Sequence, residues 1–378
     1  MKIALLSGSR SDRNALVMVE KALKVDGHDT NLIVFDDKHY KTVYATEPED
    51  RVSHVVAIAA DRAKDADLAI IHGDRHETLA AALDLNMHRF PIAHIGGGDI
   101  TEGSQDDCFR HAITKLSHMH FASNRDAADR IVQMGEEPDR VHVTGCPGID
   151  MVMATPTYGK SETFAAVGLD MVRMAAVQGF NRSLLVLFHP NTLGGTASEL
   201  EALSVALARR AEALVLLGPN ADAGGDLIRR EWQRLAQNRP DTIYHDNVEP
   251  QVFYSLLRWC DVLVGNSSAG YYEAPCFGTR VINIGDRQKG RPSLADNVIQ
   301  ITPGTNAADI EYAIEVAHMG YPTVADRKPC RNVYGDGHAA ERIAKVIGGI
   351  KDPRALLRKK FQDLDYDVEP MKNFEVEL

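Results

Sequence analysis

The chain lacks long hydrophobic runs. None approaches the ~18–20 consecutive apolar residues that span a bilayer, so no membrane segment is expected. The apolar opening stretch Met1–Gly8 turns polar at Ser9–Asp12, without the cleavage pattern of a secretory signal. Cysteine is sparse. The five residues Cys108, Cys146, Cys260, Cys276 and Cys330 show neither zinc-type pairing nor the even framework of a secreted scaffold. They read as reduced thiols of a cytoplasmic protein. Basic residues are in the minority, 42 Lys and Arg against 53 Asp and Glu, for a formal charge of −11. That sign argues against a nucleic-acid partner, yet it permits a local cationic pocket. A composition 44% hydrophobic and 25% charged excludes a disordered, collagen-like or coiled-coil chain.

What is present is alternation. Apolar runs of four to six residues recur along the chain, among them Ile3–Ser7, Leu68–His72, Ile92–Ile95, Leu184–Phe188 and Val262–Val264. Helix-like stretches such as Arg13–Val25, Glu77–Asn86 and Ala197–Ala211 separate them. Such runs suit strands buried on both faces of a parallel sheet. Strict alternation predicts an α/β chain with right-handed crossovers. The 378 residues exceed one domain of ~100–200 residues. The reading is two doubly wound Rossmann-like domains, residues 1–175 and 176–335, facing a cleft. A linker is expected around Met171–Arg182. A helix and charged tail, 336–378, are expected to pack back on the cleft. Ligands of such sheets sit beyond the carboxyl ends of the strands, and polar and glycine residues gather there.

Gly8-Ser9-Arg10 follows the first strand. Helix N-terminal amides and a fixed positive charge suit an anion, although an ordinary turn has the same form. Gly265-Asn266-Ser267-Ser268-Ala269-Gly270 follows a strand and is expected to open a helix carrying Glu273. Small residues admit a diphosphate, and Glu273 could accept two ribose hydroxyls. The segment has no P-loop lysine, and a simple serine cap would look alike. Arg287 and Arg291 after the next strand favour phosphate. His72-Gly73-Asp74-Arg75 sets a carboxylate and a guanidinium at one strand end, for acid–base work or for a structural pair. Asp106 or Asp107 can cap a helix on which Asp107, Arg110, Thr114 and Ser117 share one face. His111, Lys115 and His118 form a second polar row, so this helix either lines a site or is exposed. His94, His118 and His120 lie on separate elements and read as structural, not metal-ligating. His189, at another strand end, could assist a leaving phosphate.

Taken together these motifs resemble the UDP-N-acetylglucosamine 2-epimerases, in their hydrolysing, sialic-acid-pathway branch. The resemblance covers roughly residues 1–348. Its most specific part is His94–Gly98 followed by Asp106–His118. His72–Arg75, Gly145-Cys146-Pro147, His189-Pro190, Pro219–Gly224, Gly265–Ser268, Arg287–Arg291 and Tyr334–Gly337 support it in order and spacing. The resemblance implies a glycosyltransferase-B-like fold, a nucleotide-sugar partner, no metal and no nicotinamide or other cofactor, and a homodimer or homotetramer. It implies release of UDP through a 2-acetamidoglucal and addition of water to give a manno-configured sugar. By matching motifs, Asp74, Asp107 and His189 fall at the chemistry, with Asp99, Arg110 and His111 beside them. Arg10, Ser267, Ser268, Glu273 and Arg287 fall at the nucleotide, with Gly73, Arg75, Asn220 and Arg291. Three positions depart from the family pattern: Gly96 replaces a Glu or His, Asp99 stands for a Glu, and Arg13 for a Tyr. They keep open a differently decorated substrate, a related NDP-sugar hydrolase or transferase, and a non-catalytic nucleotide-sugar binder.

Overall fold

The computed structural model describes residues 1–8, 10–35, 48–169, 182–191, 195–219, 224–292, 297–319 and 324–363. Among these, two six-stranded sheets carry the architecture. The first runs β2-β1-β3-β4-β5-β6, from β1 (Lys2–Ser7), β2 (Asp29–Val34), β3 (Leu68–His72), β4 (Ile92–Ile95), β5 (Met119–Ala122) and β6 (Val141–Val143). The second runs β12-β11-β10-β7-β8-β9, from β7 (Ser183–Leu187), β8 (Ala213–Leu217), β9 (Thr242–His245), β10 (Val262–Gly265), β11 (Arg280–Ile284) and β12 (Val298–Ile301). The strands pair parallel, as the alternation predicts.

The central strands are short and buried on both faces, which explains their unbroken Ile, Leu and Val content. Ile3, Leu5, Leu68 and Ile70 face one core, and Ala4, Leu6, Ala69 and Ile71 face another. The second sheet is sandwiched likewise, with Trp232 on one side and Leu256 and Leu257 on the other. Each buried Ile or Leu contributes roughly 1.5–3 kcal/mol, so these layers hold the strand ends in register. No helix among the described residues is long and apolar enough to cross a membrane.

The helices that matter for the site are α1 (Arg10–Val25), α2 (Pro48–Ala63), α3 (His76–Met87), α4 (Asp106–Leu116), α5 (Arg125–Gln133), α6 (Pro147–Ala154) and α7 (Lys160–Ala166). Asn124 caps α5 by accepting the Ala127 N–H at 2.9 Å. Two connections differ from the simple division of the chain. Phe164, Val167 and Leu169 lie in the core under the second sheet, and Tyr158 N–H donates to Ser255 Oγ at 2.9 Å. The chain therefore reaches the second domain's core before the expected linker, whose residues 171–181 lie outside the described residues. The last helix (Ala339–Gly348) returns to the first sheet, where Ala340, Ile343, Ala344 and Ile347 join Ile3, Leu5 and Leu16. The Asp150 carboxylate accepts its first N–H groups, from Ala339 at 3.0 Å and Ala340 at 2.6 Å.

The tail beyond that helix lies along the first domain. Arg140 donates to the carbonyls of Leu356 and Arg358, each at 2.6 Å. Lys359 Nζ reaches the end of α4, donating to the carbonyls of Lys115 at 2.7 Å and Ser117 at 2.8 Å, and to Glu136 at 2.9 Å. Lys115 and His120 complete the surroundings of that buried carboxylate. Burial opposes its ionisation, but the bonds to His120, Lys115 and Lys359 prevail and hold its pKa at about 2.

Candidate active site

Each sheet has one point where strand order reverses, and a crevice opens there beyond the carboxyl ends. In the first sheet it lies between β1 and β3, and in the second between β7 and β10. The registers Ser7↔His72, His72↔Ile95 and Ile95↔Phe121 bring the loops after β1, β3, β4 and β5 side by side. Leu187↔Gly265 and Gly265↔Asn283 do the same for the loops after β7, β10 and β11.

Arg110 is the hub of the first crevice. It is 2% exposed. Nη2 ion-pairs with Asp74 and donates to Thr101 Oγ1 at 3.1 Å. Nη1 donates to Asp107 Oδ1 at 3.1 Å and to the Asp99 carbonyl at 2.8 Å. Asp107 Oδ1 also accepts the Thr101 N–H at 2.6 Å, and Oδ2 faces His111 Nε2 at 3.4 Å. Burial disfavours ionisation of Asp74, but Arg110, and beyond it Arg291 and His72, outweigh this and lower its pKa. The Asp74 side chain is nonetheless 30% exposed, so an ionised carboxylate stands open.

The helix bearing Arg110 settles the question raised by its two polar rows. Gln105 is its N-cap residue, so neither Asp106 nor Asp107 caps it. Thr114 Oγ1 donates to the Arg110 carbonyl at 3.0 Å, and Ser117 Oγ to that of Ile113 at 2.8 Å. Their face is buried at Arg110 and Thr114, and its two charged residues, Arg110 and Asp107, pair with each other. The nearby histidines have structural partners. His94 meets Thr114 Oγ1 and the Gly73 carbonyl, each at 3.2 Å; His118 Nδ1 accepts the Ile92 N–H at 3.2 Å; His120 meets Glu136 at 3.1 Å.

The second crevice is built differently. Asn266 ties its strands, accepting the His189 N–H at 2.7 Å and donating to the His189 carbonyl at 2.9 Å. Gly265 has φ +148, and a Cβ there would fall 2.0 Å from the Leu187 carbonyl oxygen, so only glycine lets β10 press on β7. Ser267 Oγ accepts the Ala269 N–H at 3.3 Å. The helix expected to carry Glu273 is instead two 3₁₀ turns, Ser268–Gly270 and Ala274–Phe277. Pro275 has no N–H to continue an α-helix, and a Cβ on Gly270 would lie 2.6 Å from Val281, so the segment lies flat on β11. Glu273 Oε2 is buried without a hydrogen-bond partner among the described residues. Burial pushes its pKa up to about 7. His189 is 6% exposed, and burial with Arg287 beside it holds its pKa at about 3, so it is neutral near pH 7. Arg287 Nη1 and Gln288 Nε2 both reach the Asn266 carbonyl, at 3.4 and 2.9 Å.

The two crevices meet. Tyr272 Oη donates to Asp99 Oδ2 at 2.7 Å and accepts from Arg291 Nη1 at 2.7 Å. Glu102 pairs with Lys289 at 2.8 Å, and its N–H donates to the Lys289 carbonyl at 3.0 Å. Of the residues singled out by sequence, Asp74, Asp99, Asp107, Arg110, His111 and Arg291 thus form one connected set. Gly73 contributes its carbonyl to His94, and Arg75 Nε donates to Glu77 at 3.3 Å, beside the set. His189, Ser267, Ser268, Glu273 and Arg287 line the opposing crevice. Arg10 opens α1, but its side chain lies outside the described residues, as does Asn220. Arg13 is exposed on α1. Thr101 and Tyr272 were not singled out, and Tyr334 was noticed only as the start of a supporting motif. Tyr272 stood next to Glu273 in a motif already noticed, but its partner Asp99 lies 173 residues away.

Two doubly wound domains with facing crevices define an α/β enzyme fold of the glycosyltransferase-B type. The family model for UDP-N-acetylglucosamine 2-epimerase matches residues 4–348, and the chain belongs to that family. A relative from Legionella pneumophila, named UDP-N,N'-diacetylbacillosamine 2-epimerase (hydrolyzing), is 31% identical over 295 residues, 78% of this chain and 74% of that protein. One from Campylobacter jejuni, named GDP/UDP-N,N'-diacetylbacillosamine 2-epimerase (hydrolyzing), is 34% identical over 229 residues, 60% of this chain and 58% of that protein. The crystal structure of UDP-GlcNAc 2-epimerase from Neisseria meningitidis bound to UDP-GlcNAc shares the fold. Its TM-score is 0.72 at 17% identity, covering 92% of this chain and 99% of that one.

Proposed function

We propose that this chain is a hydrolysing 2-epimerase of a UDP-linked 2-acetamido sugar, releasing UDP and a free manno-configured sugar. The observation that carries the reading is the Arg110 hub, with Asp74 and Asp107 on one side of the cleft and the Ser267-Ser268 turn, Arg287 and Arg291 on the other. In the first step a carboxylate removes the C2 proton, the C–H pair becomes the C1=C2 bond, and the C1–O pair leaves with UDP. In the second, water supplies hydroxide to C1 while C2 is protonated on the opposite face. Asp74, ionised and open, suits the proton acceptor. Asp107, across the same guanidinium, suits the second proton transfer. The two arginines answer the charge that develops on the leaving diphosphate. Neutral His189 can donate one N–H to it. Glu273 suits the ribose hydroxyls, which would supply donors to its buried oxygen.

The sugar we favour carries a second acylamino group. Gly96 has φ +87, and a Cβ there would meet nothing within 4 Å, so the turn that leads from β4 to Asp99 leaves open space at this position. Two relatives whose names specify a diacetylated sugar point the same way. The test is UDP release from UDP-N,N'-diacetylbacillosamine and from UDP-N-acetylglucosamine at equal concentration. Faster release from the first is expected. Preference for the second would reject the decorated substrate, and release from neither would reject the enzyme reading.

A further inference from the structure

Tyr272 holds a place in the molecule that neither half-site explains alone. It belongs to the turn between Ser268 and Glu273, on the side proposed for the nucleotide, yet its hydroxyl ends on Asp99 of the first domain. The ring is fixed in several ways. It stacks on Tyr334, centroids 3.8 Å apart at 25°. The Arg291 guanidinium carbon lies 5.0 Å from its centroid. Its carbonyl accepts from Asn332 Nδ2 at 2.7 Å. Tyr334 is itself wholly buried and donates to the Pro292 carbonyl at 3.3 Å. A ring so confined sets the position of its hydroxyl.

The direction of the hydrogen bonds is fixed by chemistry. Arginine can only donate, so Arg291 Nη1 gives to the Tyr272 oxygen, and Tyr272 gives its own proton to Asp99. Each bond polarises the next in the same sense. Asp99 has little freedom otherwise. It is 4% exposed, and Oδ1 accepts from Ser123 Oγ at 2.8 Å and Asn124 Nδ2 at 3.4 Å. Its carbonyl accepts Arg110 Nη1 at 2.8 Å. A shift of Asp99 therefore moves the acceptor that orients Arg110, and Arg110 is the cation that keeps Asp74 ionised.

We propose that Tyr272 is a positioning residue that links the nucleotide side to the sugar side, acting on Asp74 through Asp99 and Arg110. Arg291 is shared between the tyrosine and the proposed diphosphate site. Nucleotide drawn to Arg291 changes the donor on the Tyr272 oxygen, and with it the hold on Asp99. The catalytic readout of this proposal rests on the epimerase reading. Its structural readout does not.

The variant is Tyr272→Phe, which removes the hydroxyl and keeps the ring between Tyr334 and Arg291. Losing a hydrogen bond to a charged partner should lower kcat about tenfold or more, while UDP affinity by calorimetry changes less than about threefold. Combined with Asp99→Asn, it should be no slower than the slower single variant, because both break one chain. Hydrogen exchange without ligand should quicken at the Thr101 amide, which is held by Asp107 at 2.6 Å. A kcat within about twofold of the parent, or fully multiplicative effects in the double variant, would overturn the proposal. If the parent protein releases no UDP from any substrate, the epimerase reading fails, and exchange alone decides. Unchanged protection at Thr101 then overturns the role of Tyr272, and faster exchange sustains it.

Discussion

Around Arg110 each carboxylate has a cation or a donor: Asp74 and Asp107 share the guanidinium, and Asp99 is taken by Ser123, Asn124 and Tyr272. Around Glu273 the opposite holds. One carboxylate oxygen is buried without a partner among the described residues, and its pKa sits near 7. The first arrangement is preorganised during folding, so its charges are in place before any reaction. The second makes its carboxylate easy to protonate and strong as an acceptor once hydroxyls face it. The contrast fits a division of labour between chemistry and capture.

Arg110→Met attacks the organised half most severely. Removing one partner of a buried ion pair costs ~3–5 kcal/mol, and here two carboxylates lose their cation. A denaturation midpoint well below the parent's and no detectable turnover are expected. Near-parental stability would mean that solvent already screens the pair.

Asp107→Asn is milder for the fold, since the amide oxygen can still accept from Thr101. Turnover should fall by ~10²–10⁴ with UDP affinity unchanged. Equal activity would remove Asp107 from the chemistry.

On the capture side, Arg287→Ala should weaken UDP binding by ~1.5–3 kcal/mol, the worth of one charge-assisted contact. Unchanged affinity by calorimetry would reject that contact.

Glu273→Gln gives the smallest and most pH-dependent effect. The folded chain keeps a proton on Glu273 up to about pH 7, whereas an ordinary glutamate carboxyl loses it near 4.5. The group thus favours folding below pH 4.5, and this contribution is lost as pH rises through 7. Gln cannot ionise, so the variant should melt higher than the parent above pH 7 and alike in acid. Its UDP affinity should be weaker than the parent's, most clearly where Glu273 is ionised. Identical melting curves at both pH values would show that Glu273 is solvated after all.

The half-sites differed in how far they could be read from sequence. Asp107 and Arg110 share a helix face at i, i+3, a spacing visible in the chain. The strand-end positions of Asp74, His189 and Ser267 followed from short apolar runs ending in polar residues. The Arg110–Asp74 pair spans 36 residues and Tyr272–Asp99 spans 173, and only sheet order and domain packing bring such partners together. The flat turn at Glu273 was hidden because its small residues look like a helix start. Gly270 against Val281 and the missing N–H of Pro275 decide otherwise. The last helix was expected to pack back on the cleft, and its sequence position did not show that Ala340, Ile343, Ala344 and Ile347 join the core of the first sheet.

The division between chemistry and capture stands on elimination at C2, so the most direct measurement is turnover of the UDP-sugar in deuterated water, followed by NMR. The account predicts UDP release together with one deuterium at C2 of a manno-configured free sugar. UDP release with the original proton still at C2 would contradict it.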